Sequence, residues 1–203
     1  MPYQNLTTYT EVDPGSDLSK TATRATATNL PANLSAYIYK DFGASYFNSL
    51  DIDFTISLTS ITGDWLAWPC FGLTQTAVGS LEDWADNDPV LVFYSDGEPQ
   101  IYFLDGPAGS YDHTDINLSS IYYCTCVREA GSGTITINMY NESARTSLYY
   151  SHSLTTFGTG TRYRYLYALS SGNQADASTA SYYTENIDLN PPIPPPVWFY
   201  DSA

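Results

Sequence analysis

The sequence predicts an all-β chain, and three observations carry the prediction. Thr, Ser and Tyr are abundant while Lys is nearly absent, and 19 Tyr in 203 residues suit pleated, half-buried surfaces better than helices. The segment SLDIDFTISLTS alternates without a break: Leu50, Ile52, Phe54, Ile56 and Leu58 fall on one face, Asp51, Asp53, Thr55, Ser57 and Thr59 on the other. That is period 2, with no competing helical reading. Further short runs follow between Gly, Pro and Asp turn signals, roughly ten to twelve strands in all, as in a sandwich or barrel.

The elements can be justified in chain order. LSKTATRATATNL alternates weakly, and SAYIYKDFGASYF leads into the strong strand. DWLAWPCFGLT and an acidic loop, GSLEDWADNDP, come next. VLVFYSDGEPQIYFLDG then carries two Asp-Gly turn signals, as a hairpin and a following turn require. IYYCTCVREAGSGTITINMYNES is a second strand pair, its Gly-Ser-Gly turn preceding a strand with Ile135, Ile137 and Met139 inward. TSLYYSHSL, YRYLYALSS and TASYYTENIDL complete the set. No internal repeat is visible. The organisation expected is an N-terminal extension at 1–9, one domain at 10–189 and an arm at 190–203. In the arm PPIPPP, with Pro194, Pro195 and Pro196, favours polyproline II and holds Trp198, Phe199 and Tyr200 away from the last strand. Three adjacent aromatics left in water form an apolar patch that soluble monomers avoid, so the arm is read first as an assembly arm that enters a neighbour's groove, with a strap folded back on its own domain and a disordered end as the alternatives.

Charge excludes some partners. With 22 acids against 7 bases the net charge is -15. Such a surface repels phosphate, which argues against nucleic acid and anionic membranes. No run of about 18 apolar residues exists, so membrane insertion is not expected. MPYQNLTTYTEVDPGSD lacks a basic then apolar run, so no signal peptide is visible. Cys70, Cys124 and Cys126 fit no framework of paired bridges. Cys124 and Cys126 share one strand face, which leaves a bridge from Cys70 to either of them, or three buried free thiols.

The order of these pieces resembles the concanavalin A-like lectin/glucanase superfamily, in particular its laminin-G-like members of phage and environmental type. The matching phrases are the Thr-rich first strand, YIYKDFGASYF feeding LDIDFTISL, DGEPQIYF, YYCTCVREAGSGTITINMYN and the closing SYYTENIDL. The resemblance implies a two-sheet antiparallel jelly roll whose last strand returns beside the first, pairing TATRATAT with TASYYTENI. The superfamily includes glucanases whose signature is Glu-x-Asp-x-Glu on one strand, placing nucleophile and acid/base on one face. Here the nearest match is Asp51-Ile52-Asp53-Phe54-Thr55. Thr55 cannot donate the proton, so no enzyme is expected. Nothing like Gly-x-Ser-x-Gly marks a nucleophile either. His113 is read as a loop residue and His152 as a hydrogen-bonded, half-buried one.

Three binding expectations remain. Sugars stack on Trp and Tyr while polar groups address their hydroxyls. Trp84, in the acidic loop, is the candidate glycan platform, with Asp51 and Asp53 as polar candidates; Trp65 and Trp68 are read as core. No cofactor is required, but calcium is the metal the acidic loops suit, with Asp83, Asp86, Asp88, Asp112 and Asp115 as candidate ligands. The expected partners are glycans, or copies of the chain and other structural subunits in a homo-oligomer, in an extracellular or virion-associated setting. A glycan-recognition module, a self-assembling subunit and a degenerate glycoside hydrolase are the three classes carried forward.

Overall fold

The computed structural model describes residues 3–76, 79, 88–105, 110–155, 157–172 and 174–190. The arm, with Pro194, Pro195, Pro196, Trp198, Phe199 and Tyr200, lies outside them, as do Trp84, Asp83 and Asp86.

Two seven-stranded antiparallel sheets pack face to face. The first runs, edge to edge, through β1 (Thr10–Val12), β4 (Tyr37–Asp41), β13 (Tyr165–Ser170), β6 (Leu66–Thr74), β7 (Pro89–Ser95), β8 (Pro99–Asp105) and β9 (Tyr111–Asp115). The second runs through β12 (Leu148–Leu154), β11 (Ile135–Tyr140), β10 (Tyr122–Arg128), β5 (Leu50–Ile61), β14 (Thr179–Leu189), β3 (Arg24–Pro31) and β2 (Leu18–Lys20). A 3₁₀ turn at Leu6–Thr8, capped by the Asn5 side chain, precedes β1. The expected closure is present: β14 pairs with β3 from Thr179↔Pro31 to Glu185↔Arg24. The short strands β1, β2 and β9 bring the total above the number read from sequence.

Periodicity explains the core. Ile52, Phe54, Ile56 and Leu58 of β5 are buried between the sheets, facing Trp68, Phe71 and Leu73 of β6. Phe54 stacks on Phe71 at a centroid distance of 4.2 Å. Polar side chains inside this layer are satisfied across it, as burial demands. Trp68 Nε1 donates to the Leu30 carbonyl at 3.1 Å, Tyr182 Oη to the Ser170 carbonyl at 2.6 Å, and Thr184 Oγ1 to the Cys70 carbonyl at 2.5 Å. Each of these bonds ties one sheet to the other.

Of the two alternatives for the cysteines the structure has the free thiols: Cys70, Cys124 and Cys126 are all buried and unbridged, with no bond from Cys70 to either of the others. Burial pushes all three thiols well above their ordinary range, which keeps them protonated and unreactive. They pack as small apolar side chains. At the strand ends, Arg164 grips Asp41 through two hydrogen bonds of 2.8 and 2.6 Å. The guanidinium and the Gly43 N–H hold that carboxyl down at about 2.

Candidate functional site

Tyrosine gathers on one surface, the outer face of the first sheet. Tyr37 and Tyr39 of β4, Tyr165 and Tyr167 of β13, Ala67 of β6, Val90 and Val92 of β7, and Tyr102 and Leu104 of β8 form a second apolar cluster there, separate from the main core. Period 2 explains it: the alternate residues Ile38, Leu166, Trp68, Leu91, Phe93, Ile101 and Phe103 point inward.

Toward the β7–β9 edge this face becomes polar and open. Tyr94, Tyr102 and Tyr111 follow one another at centroid distances of 4.7 and 5.6 Å, and His113 stacks on Tyr102 at 4.6 Å and 10°. Trp65 stands edge-on to Tyr94 at 6.5 Å. Between the rings, Tyr102 Oη donates to Gln100 Oε1 at 3.2 Å, and Gln100 Nε2 donates to Asp115 Oδ1 at 3.0 Å. Burial, then neighbouring phenols and carboxylates including Asp96, raises the Tyr94 and Tyr102 phenols, so both stay neutral hydrogen-bonding groups. No Lys or Arg lies between Lys40 and Arg128 in the sequence, so none is contributed by β6–β9.

Trp65 corrects the expectation that it belongs to the core. It is 67% exposed while Trp68 is fully buried. The turn from β5 to β6 sets it there: its N–H donates to the Ser95 carbonyl at 2.7 Å, and its φ is 64°. A bulky side chain on left-handed backbone costs about 1–3 kcal/mol and persists where surrounding bonds over-determine it. His113 is likewise on a strand, not in a loop.

Asp53 occupies a different place, on the outer face of the second sheet. There a cavity of about 160 Å³ is lined by Tyr3, Asp53, Thr55, Tyr123, Ser143, Arg145, Asn186 and Asp188. Arg145 Nη1 meets Asp53 Oδ2 at 3.4 Å. Asp51, two residues away, is bound to the end of β14: Asn190 Nδ2 donates to its Oδ1 at 3.3 Å.

The expected calcium ligands fall in different places. Asp112 and Asp115 are three apart on β9, so they face opposite sides. Asp115 joins the outer tyrosine face; Asp112 turns inward, where it accepts from Tyr150 Oη at 3.1 Å and meets His152 Nδ1 at 2.5 Å. That arrangement clasps β9 to β12 across the sandwich edge, and it matches the half-buried, hydrogen-bonded role expected of His152. Asp88 is buried, with Oδ1 accepting the Gln75 N–H at 3.2 Å. Among the described residues no group of three or more His, Cys, Asp or Glu side chains is placed to hold a metal ion.

No protein-family model matches the chain, and no curated protein matches it in sequence. Solved structures do. A protein of unknown function from Saccharomyces cerevisiae is 10% identical, with a TM-score of 0.57 over 94% of this chain and 100% of its own. A sialidase is 13% identical, with a TM-score of 0.59 over 91% of this chain but 17% of its own. The exoplasmic/lumenal domain of VIP36, bound to Ca²⁺ and Man3GlcNAc, is 11% identical, with a TM-score of 0.51 over 90% of this chain and 84% of its own. Likeness at that identity speaks to architecture alone. The chain is thus an all-β, two-sheet antiparallel sandwich of the concanavalin A-like fold.

Proposed function

We propose that the protein is a non-catalytic carbohydrate-binding module that holds a neutral glycan against the β7–β9 end of its tyrosine face. The observation that carries this reading is the row Trp65, Tyr94, Tyr102, Tyr111 and His113 with Gln100 and Asp115 beside it. Rings of this kind take the apolar faces of sugars, while the amide and carboxylate bond their hydroxyls. The lack of cations favours neutral over acidic glycans, because nothing there offsets the Asp115 and Asp96 charges. VIP36, similar in fold, is seen with a bound mannose-containing glycan, which supports the class of ligand.

The absence of catalysis is part of the proposal. Asp53, in the strand that resembles the glucanase signature, is paired with Arg145, and buried Thr55 stands in the third position. Affinity electrophoresis through neutral polysaccharides tests the binding. The full chain should be retarded by at least one of them, and Trp65→Ala should weaken that retardation about tenfold. A chain that migrates freely through every polysaccharide, or a Trp65→Ala variant retarded like the parent, rules the reading out.

The finer placement, a laminin-G-like domain of an extracellular or virion assembly, rests on the phrases quoted from the sequence. A second reading, self-assembly through the arm at 190–203, is favoured by PPIPPP followed by Trp198, Phe199 and Tyr200. A stiff arm loses little entropy on docking. Light scattering should then find the full chain oligomeric and a chain ending at Leu189 monomeric. Equal masses for the two remove this second reading.

A further inference from the structure

The cavity beside Asp53 is constructed from features that strand pairing does not supply. The register of β14 slips between Glu185 and Asp188, a bulge that turns Asn186 to a φ of 55° and aims it, with Asp188, at the cavity. Bulges re-aim side chains in this way beside functional sites. Arg145 arrives from the turn between β11 and β12, also with positive φ, at 52°. That turn is locked by Glu142 Oε1, which accepts from the Thr146 N–H at 3.1 Å and the Ser147 N–H at 2.6 Å. Arg145 Nε is buried and has no hydrogen-bond partner among the described residues. An unmade bond on a buried charged donor is costly, and the same guanidinium borders the cavity through Nη1, which meets Asp53.

We propose that this cavity is a second saccharide site, on the opposite sheet from the tyrosine face, that takes one neutral sugar ring through a pair of adjacent hydroxyls. The size sets the first limit: about 160 Å³ is well below the roughly 300–1,000 Å³ of a drug-sized pocket. One ring fits inside, and any further units of a longer ligand would lie outside the cavity. Charge sets the second. Asp53 and Asp188 oppose an anion, and the Arg145 guanidinium opposes a cation; at close range each repulsion is worth several kcal/mol. A vicinal diol meets both needs, one hydroxyl accepting from the Arg145 guanidinium and the other donating to Asp53. Tyr123 offers a ring for the apolar face of the sugar.

This site does not depend on the aromatic face, and its test keeps the two apart. The full chain is titrated by calorimetry and NMR with the methyl α-glycosides of glucose, galactose and mannose. At least one should bind with a single site. Asp53→Asn, which removes a charge-assisted bond, should weaken it about tenfold or more. Ser143→Trp, placed in an exposed turn to fill the cavity, should do the same by bulk. Trp65→Ala should leave this binding unchanged while reducing polysaccharide retardation, and thermal melts of all variants should match the parent. The proposal is overturned if none of the three glycosides binds, if binding survives both cavity variants, or if only the methyl glycoside of glucosamine, a cation, binds.

Discussion

Replacing Trp68 with Ala should lower the stability of the sandwich by about 4–5 kcal/mol, the largest effect of any single substitution considered. Trp68 is fully buried in the layer between the sheets. Truncating a buried Trp costs about 3–5 kcal/mol through lost transfer energy and the cavity left behind. The Leu30 carbonyl, which accepts from the indole at 3.1 Å in a buried setting, would lose its partner and add to that. For a chain of this length the midpoint of thermal unfolding should fall by roughly 10–20 °C. Trp68→Phe separates the terms: it keeps most of the apolar volume but not the donor, and should cost about 2 kcal/mol. Calorimetric melts of the three proteins decide the matter. An Ala variant within about 1.5 kcal/mol of the parent would mean that Trp68 does not tie β6 to β3.

The contrast between Trp68 and Trp65 shows where the sequence is legible. Period 2 fixes the inward set of β5, because Leu50 to Leu58 admit only one apolar face, although Thr55 and Ser57 on the other face are buried as well. The closure of β14 on β3 follows instead from the resemblance to the concanavalin A-like superfamily, not from periodicity. DWLAWP, by contrast, reads as one apolar run, although Gly63 and Asp64 place Trp65 in the turn and only Trp68 in the strand. Strand β9 escapes notice for a different reason. An edge strand is protected by charge, so YDHTD carries no apolar alternation to detect, and Asp112 and Asp115 look like one acidic cluster.

The two binding surfaces differ in the same way. Tyr94, Gln100 and Tyr102 are spaced by strand periodicity, so their shared face follows once the β7–β8 hairpin at Asp96-Gly97 is recognised. The cavity beside Asp53 does not follow from any pattern. It needs the register slip in β14 and a lone Arg in a turn, and both depend on tertiary context.

Arg128 gives the second large effect, and it was equally hidden in the sequence. A charged residue at the end of β10 looks like a solvated strand terminus, yet it is 2% exposed. Its guanidinium donates to three loop carbonyls: Nε to Ser132 at 2.7 Å, Nη1 to Thr161 at 3.0 Å and Nη2 to Gly158 at 2.8 Å. It also lies over the Tyr163 ring, 5.6 Å from the centroid. The planar fork reaches separate chain segments at once, which no other side chain does. Arg128→Ala should therefore cost about 3–4 kcal/mol, reduced from the sum of three charge-assisted bonds because water reaches some of the freed carbonyls. Arg128→Lys should recover less than half, since an ammonium keeps the charge but not the fork. These three partners are carbonyls, not carboxylates, so the loss should be nearly the same in low salt and in about 1 M salt. Urea unfolding at both ionic strengths reads this out. A cost that shrinks steeply with salt would show that Arg128 acts through long-range attraction to the acidic surface instead of through the bonds it makes.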